Sequence, residues 1–150
     1  MIIALASDHH GVNLKGQLIE NLTAAGHQAV DLGPEDDAPV DYPDYAEQVA
    51  KRVANQEADR GILICGSGVG MAIAANKVPG IRAAVCYDEP TAILSREHND
   101  ANVLCLSGKR VAVADNVAIV MTWVATDFEG GRHARRVDKI RDLETRYGSS

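Results

Sequence analysis

A chain of 150 residues, 46% of them hydrophobic, is long enough to bury one core and too short to need two. Its 15 lysines and arginines against 21 aspartates and glutamates give a formal charge of -6, which argues against nucleic acid or an anionic membrane as a partner and requires any anionic ligand to be met by local positive charge. No apolar run approaches the roughly 20 residues of a membrane span, and the start, MIIALASDHH, lacks a basic leader, so a cytoplasmic protein is expected.

In chain order, IIALAS (2–7) reads as a strand that ends in the polar island SDHHG (7–11). Asp8, His9 and His10 there are a helix cap with exposed histidines, groups for acid-base and phosphate contact, or, less favoured because further ligands lack evident spacing, part of a metal site. Leu14, Leu18, Leu22 and Ala25 form a helical stripe, and QAVDL (28–32) is a second strand. GPEDDAPVDYP (33–43) is an acidic, proline-bearing surface loop. A second helix carries Tyr45, Val49 and Val53 inward, and a third strand, GILIC (61–65), runs straight into a glycine loop. RAAVC (82–86) is the fourth strand, and the helix after it closes at ILSREHNDAN (93–102), where His98 falls one turn after Leu94 on the apolar side. The fifth strand, NVLCL (102–106), leads past Arg110 to a helix striped by Val113, Val117, Val120, Met121 and Val124. A last helix, about 131–147, has apolar positions Val137, Ile140, Leu143 and Tyr147; with the sheet already covered, its partner is expected to be a second subunit. Five strands alternating with helices specify an α/β chain with a five-stranded parallel sheet in a single domain, 1–150.

The loop after Cys65 holds Gly66, Gly68 and Gly70, where backbone N–H groups can come close to an anion ahead of a helix N-terminus. It is not a dinucleotide fingerprint, because Met71 stands where the third glycine of G-x-G-x-x-G belongs. It has no P-loop lysine, and Met71 also replaces the arginine of a C-x5-R phosphatase loop. Cys65 is either a small buried hydrophobe ending its strand, like Cys86 and Cys105, or a thiolate base or nucleophile facing a glycine nest. The odd cysteine count argues against disulfides, and the lack of CxxC or HExxH spacing gives no zinc site. His98 is either a satisfied core histidine or a proton-transfer group. In GGRHARR (130–136), Arg132 and Arg136 lie four apart, and the next step of four reaches Ile140, so both are expected to border a buried seam and to suit a phosphate, with Arg110 as a third charge.

SDHHG, DYPDYA, GILICGSGVGMAIAANKVPGIRAA, SREHNDANVL and FEGGRHARRV, spread in order from Ile3 to about Val137, together resemble the type B ribose-5-phosphate isomerases, a family that also includes galactose-6-phosphate and allose-6-phosphate isomerases. The resemblance implies a Rossmann-like three-layer α/β/α sandwich, no metal or other cofactor, and a homodimer or tetramer with active sites shared between subunits. It implies that Cys65 moves a proton between C2 and C1 of the open-chain sugar. Gly66, Ser67, Gly68, Val69 and Gly70, with Asn99, would hold the enediolate oxygens, and His98 would open the furanose ring. Asp8 and Tyr42 would contact sugar hydroxyls, while His9, Arg110, Arg132 and Arg136 would bind the phosphate. One subgroup uses a glutamate at the position of Met71, and methionine cannot take that role. Ser67 stands where threonine is common and offers the same hydroxyl. A hexose 6-phosphate isomerase of the same family and a sugar-phosphate binding module are the competing readings.

Overall fold

Strands buried on both faces read as unbroken apolar runs, because helices cover the sheet on either side. β1 (Ile2–Ser7), β3 (Arg60–Cys65) and β5 (Val103–Ser107) are of this kind and form the centre of the sheet. β2 (Gln28–Asp31) and β4 (Ala83–Val85) are short and only partly buried, as edge strands are. The computed structural model describes residues 1–148 and orders the sheet β2-β1-β3-β5-β4, every neighbouring pair parallel. The Rossmann-like α/β expectation is therefore met. Among the described residues no helix is long and apolar enough to cross a membrane.

Alternate side chains divide the core. Ile3, Leu5, Ile62, Ile64, Leu104 and Leu106 face α1 (Val12–Ala24), α4 (Glu89–Glu97) and α5 (Val113–Ala125). Ala4, Ala6, Leu63, Cys65, Val103 and Cys105 face α2 (Tyr42–Ala54) and α3 (Val69–Ala75). Each fully buried large aliphatic contributes about 1.5–3 kcal/mol.

Some helix faces differ from the sequence expectation. Ala25 caps α1 and is exposed, because the helix has ended there. On α5 Val113 is also exposed, Val117 and Met121 are half-buried, and the inward face is Asn116, Ile119, Val120, Trp123 and Val124. Val117 and Met121 still pack on the core, and Trp123 extends the inward face: its ring is fully buried with the guanidinium groups of Arg60 and Arg96 lying 5.3 and 5.9 Å from its centre. Arg60 also donates to the Trp123 and Val124 carbonyls, and burial lowers its pKa to about 10. Lys15, likewise buried, ties the acidic loop to the body through the Pro34 carbonyl at 2.6 Å and Asp31 at 2.8 Å.

The last helix, α6 (Arg132–Tyr147), buries only His133 and Val137. Ile140, Leu143 and Tyr147 are 45%, 50% and 78% exposed, so Arg132 and Arg136, both exposed, do not border a seam buried within this chain.

Candidate active site

In an open parallel sheet, ligands meet the carboxyl ends of the strands where successive connections leave in opposite directions. Here that point lies between β1 and β3, whose connections reach opposite edges of the sheet. β1 delivers Ser7 and Asp8 to it, β3 delivers Cys65, and β5 delivers Ser107 directly beside Cys65 in register.

The glycine loop has its carbonyls tied and its amides left over. Lys109 N and the Ser107 hydroxyl donate to the Gly66 carbonyl, Gly108 N to Cys65, and Ala72 N to Gly68. Val69 N finds the Ser67 hydroxyl at 3.2 Å, and Gly68 N donates to Cys65 Sγ at 3.1 Å. Among the described residues the amides of Gly66, Ser67 and Gly70 reach no protein acceptor, which leaves several donors beside the sulfur for an oxyanion. Gly68 sits at φ +81, a conformation side chains resist, and a Cβ there would press on the Leu106 carbonyl at 3.1 Å. α3 is only seven residues long, so the loop amides rather than a helix dipole carry the anion-binding capacity. Cys65 is 6% exposed, at the strand tip under this loop; Met71, beside it in the same cluster, is fully buried.

Asp8, His9 and Tyr42 line a cleft of about 490 Å³ at the same edge. The Asp8 carboxylate accepts from His10 N at 2.9 Å, while His9 Nδ1 accepts from Val40 N at 3.3 Å. A neutral His9 accepting at Nδ1 carries its proton on Nε2, where it can donate to an anion. The Tyr42 ring lies against Gly70, where a Cβ would overlap it. Arg110 belongs to this edge too: its amide is held by Ser107 Oγ at 2.8 Å and its side chain is exposed.

The remaining candidates are elsewhere. α4 starts at the carboxyl edge and runs back, so its cap, His98, and Asn99 lie at the amino edge, where Asn99 and Asp100 carbonyls hold Arg82 just before β4. His98 is half-buried beside an exposed Leu94; the inward residues of α4 are Ala92, Ser95 and Arg96, which corrects its assignment to the apolar side. Its ring stacks on His133, centres 4.1 Å apart and 12° between planes. Burial, then the neighbouring His98 and Arg132, hold the His133 pKa below its ordinary value, while Glu129 sits 3.4 Å from its Nε2. Arg132 and Arg136 flank His133 on the same helix. The five steps from Arg60 to Cys65 along β3, at about 3.3 Å each, put the two edges roughly 16 Å apart. Asn99, His98 and the two arginines therefore cannot reach the glycine loop of their own chain.

His98, Glu129 and His133 offer donor atoms within 4.8 Å of one another. Stacked, nearly parallel rings send their lone pairs side by side, so a tetrahedral metal would require one ring to turn. Sequence reading missed Ser107, which supports the loop, and Tyr87, whose hydroxyl donates to the Ser67 carbonyl at 2.6 Å. The signal for Ser107 was present, since it ends an apolar run with a hydroxyl as Ser7 does.

Comparison with known proteins bears on all of this. Residues 3–140 match the family model described as Ribose/Galactose Isomerase. The chain is 51% identical over 140 residues to a probable ribose-5-phosphate isomerase B of Mycoplasma genitalium, covering 92% of each protein. A solved ribose-5-phosphate isomerase B of Clostridium thermocellum superposes with a TM-score of 0.96 at 50% identity, covering 98% of this chain and 99% of that one. The Mycoplasma genitalium enzyme solved with bound ribulose 5-phosphate superposes at 0.92, 50% identical, covering 96% of each. With its fold and sequence in agreement over nearly its whole length, this chain belongs to the ribose/galactose isomerase family.

Proposed function

We infer that the chain is an aldose-ketose isomerase that interconverts ribose 5-phosphate and ribulose 5-phosphate. The observation that carries this reading is a sulfur at the sheet's switch point beside unpaired backbone amides, in a chain half identical to ribose-5-phosphate isomerases B. A proton alpha to a carbonyl is weakly acidic, so the reaction needs a base at carbon and donors where the enediolate charge develops. Cys65 is the base, taking the proton from C2 and returning it at C1. The amides of Gly66, Ser67 and Gly70 receive the two oxygens, in a loop fixed where Lys109 N and Ser107 Oγ donate to the Gly66 carbonyl. Ser67 Oγ, Asp8 and Tyr42 orient the sugar hydroxyls, and His9 with Arg110 meets the phosphate from this side.

The site is completed by a second copy. One domain forms each chain, and the exposed Ile140, Leu143 and Tyr147 of α6 are the face that packs on the neighbour. The neighbour's amino edge then brings His98 to open the furanose ring, Asn99 to the enediolate, and Arg132 and Arg136 to the phosphate. The separation of about 16 Å between the edges of one chain supports this arrangement, because one sugar phosphate cannot touch both. Three free, buried cysteines suit the reducing cytoplasm.

The test is the purified chain offered ribose 5-phosphate, allose 6-phosphate and galactose 6-phosphate. Ketose formation is expected with the pentose at the highest kcat/KM; no turnover of the pentose overturns the reading.

A further inference from the structure

The backbone around Cys65 contains a relay that no residue of the proposed chemistry explains. Tyr87 Oη donates to the Ser67 carbonyl at 2.6 Å, the short end of the range for such bonds. That carbonyl and the amide of Gly68 belong to one planar trans peptide, on opposite sides of it. The Gly68 amide donates to Cys65 Sγ at 3.1 Å. A single peptide unit thus links a phenol on one side to the sulfur on the other. Hydrogen bonding to a carbonyl polarises its peptide and strengthens the N–H as a donor, by about 10–30% per bond. The phenol is also well anchored. Cys86 before it is fully buried, with its amide on the Cys105 carbonyl, and Asp88 after it caps α4 by accepting from Thr91 N at 2.8 Å.

Resting on the isomerase reading, we propose that Tyr87 is a positioning residue for the Cys65 base, acting through the Ser67–Gly68 peptide. It holds the Ser67 carbonyl outward, keeps the loop amides turned toward the substrate oxygens, and favours thiolate over thiol through the Gly68 N–H. The ring itself is 44% exposed, so removing only the hydroxyl leaves little packing to disturb.

The experiment is Tyr87→Phe, read by the pH dependence of Cys65 alkylation with iodoacetamide and by steady-state kinetics. Cys86 and Cys105 do not interfere, since burial pushes both thiols up, Cys86 to about 11. The expected result is an alkylation profile displaced to higher pH, with the rate near neutrality down roughly twofold to fourfold. kcat should fall by a similar factor, KM should stay within about twofold, and the thermal midpoint should be unchanged. Superimposable alkylation profiles overturn the proposal, and so does a displaced profile accompanied by a lowered thermal midpoint, which would mean that the loop had simply collapsed. The alkylation arm uses no substrate, so it tests the relay even if the wild-type chain forms no ribulose 5-phosphate, the separate result that would sink the isomerase reading.

Discussion

Cys65 has one observed role and one proposed role, and a pair of substitutions pulls them apart. Its sulfur accepts the Gly68 amide, and it is the proposed base. Cys65→Ala removes both. The Gly68 amide, in a buried residue, then has no acceptor, which costs about 1–3 kcal/mol of stability. Cys65→Ser keeps an acceptor at nearly the same place, so stability should stay within about 1 kcal/mol of wild type. A serine hydroxyl does not ionise near neutrality, so neither variant has a competent base. Loss of a general base costs roughly 10²-fold to 10⁴-fold, or about 2.7–5.4 kcal/mol of transition-state stabilisation. Urea denaturation should therefore separate the two variants, while a continuous assay of ribulose 5-phosphate formation should find both nearly inactive. A serine variant retaining more than about a tenth of wild-type kcat refutes the base assignment.

Arg136→Ala should raise KM for the phosphorylated sugar by roughly tenfold to a hundredfold, the value of a charge-assisted hydrogen bond, with an unchanged KM placing Arg136 on the outer surface. Gly70→Ala places a Cβ on the Tyr42 ring, 2.7 Å from Cζ; because Tyr42 is 37% exposed and can swing away, KM should rise while the thermal midpoint moves little, and unaltered kinetics would remove Tyr42 from the site. Native His133 holds its proton less tightly than the unfolded chain, whose histidine titrates near 6.5. As pH falls through that value the unfolded state gains a proton that the native state declines, so stability decreases toward acid. His133→Asn should flatten this dependence between about pH 7 and pH 5 in thermal denaturation; an identical slope in the variant contradicts it.

The sheet was legible because β1, β3 and β5 are buried on both faces and spell continuous apolar runs, and because glycines after an apolar strand can serve few purposes. Helix faces were less so. On α5 the valine spacing found Val117, Val120, Met121 and Val124, which pack on the core, but not Trp123 beside Arg60 and Arg96, and Ile140 looked inward because an apolar stripe at helical spacing reads the same whether it is buried or, as on α6, exposed. The separation of Asp8 and Cys65 from His98 was partly written in the order of elements. Asp8 follows a strand and Cys65 ends one, whereas His98 follows a helix, and in a parallel sheet those positions fall on opposite edges. Tyr87 left no such trace, because its partner is a backbone carbonyl and only the folded loop brings the two together.

Whether each site takes its sulfur from one copy and its imidazole from another is tested most directly by mixing two disabled chains. Cys65→Ala and His98→Asn should each be nearly inactive alone. After unfolding and refolding together in equal amounts, half of the dimers would pair unlike chains, each with one intact site of two, so activity should recover to about a quarter of wild type. A mixture as inactive as its parts, with unlike pairs verified to have formed, would mean that Cys65 and His98 do not serve one sugar across the interface.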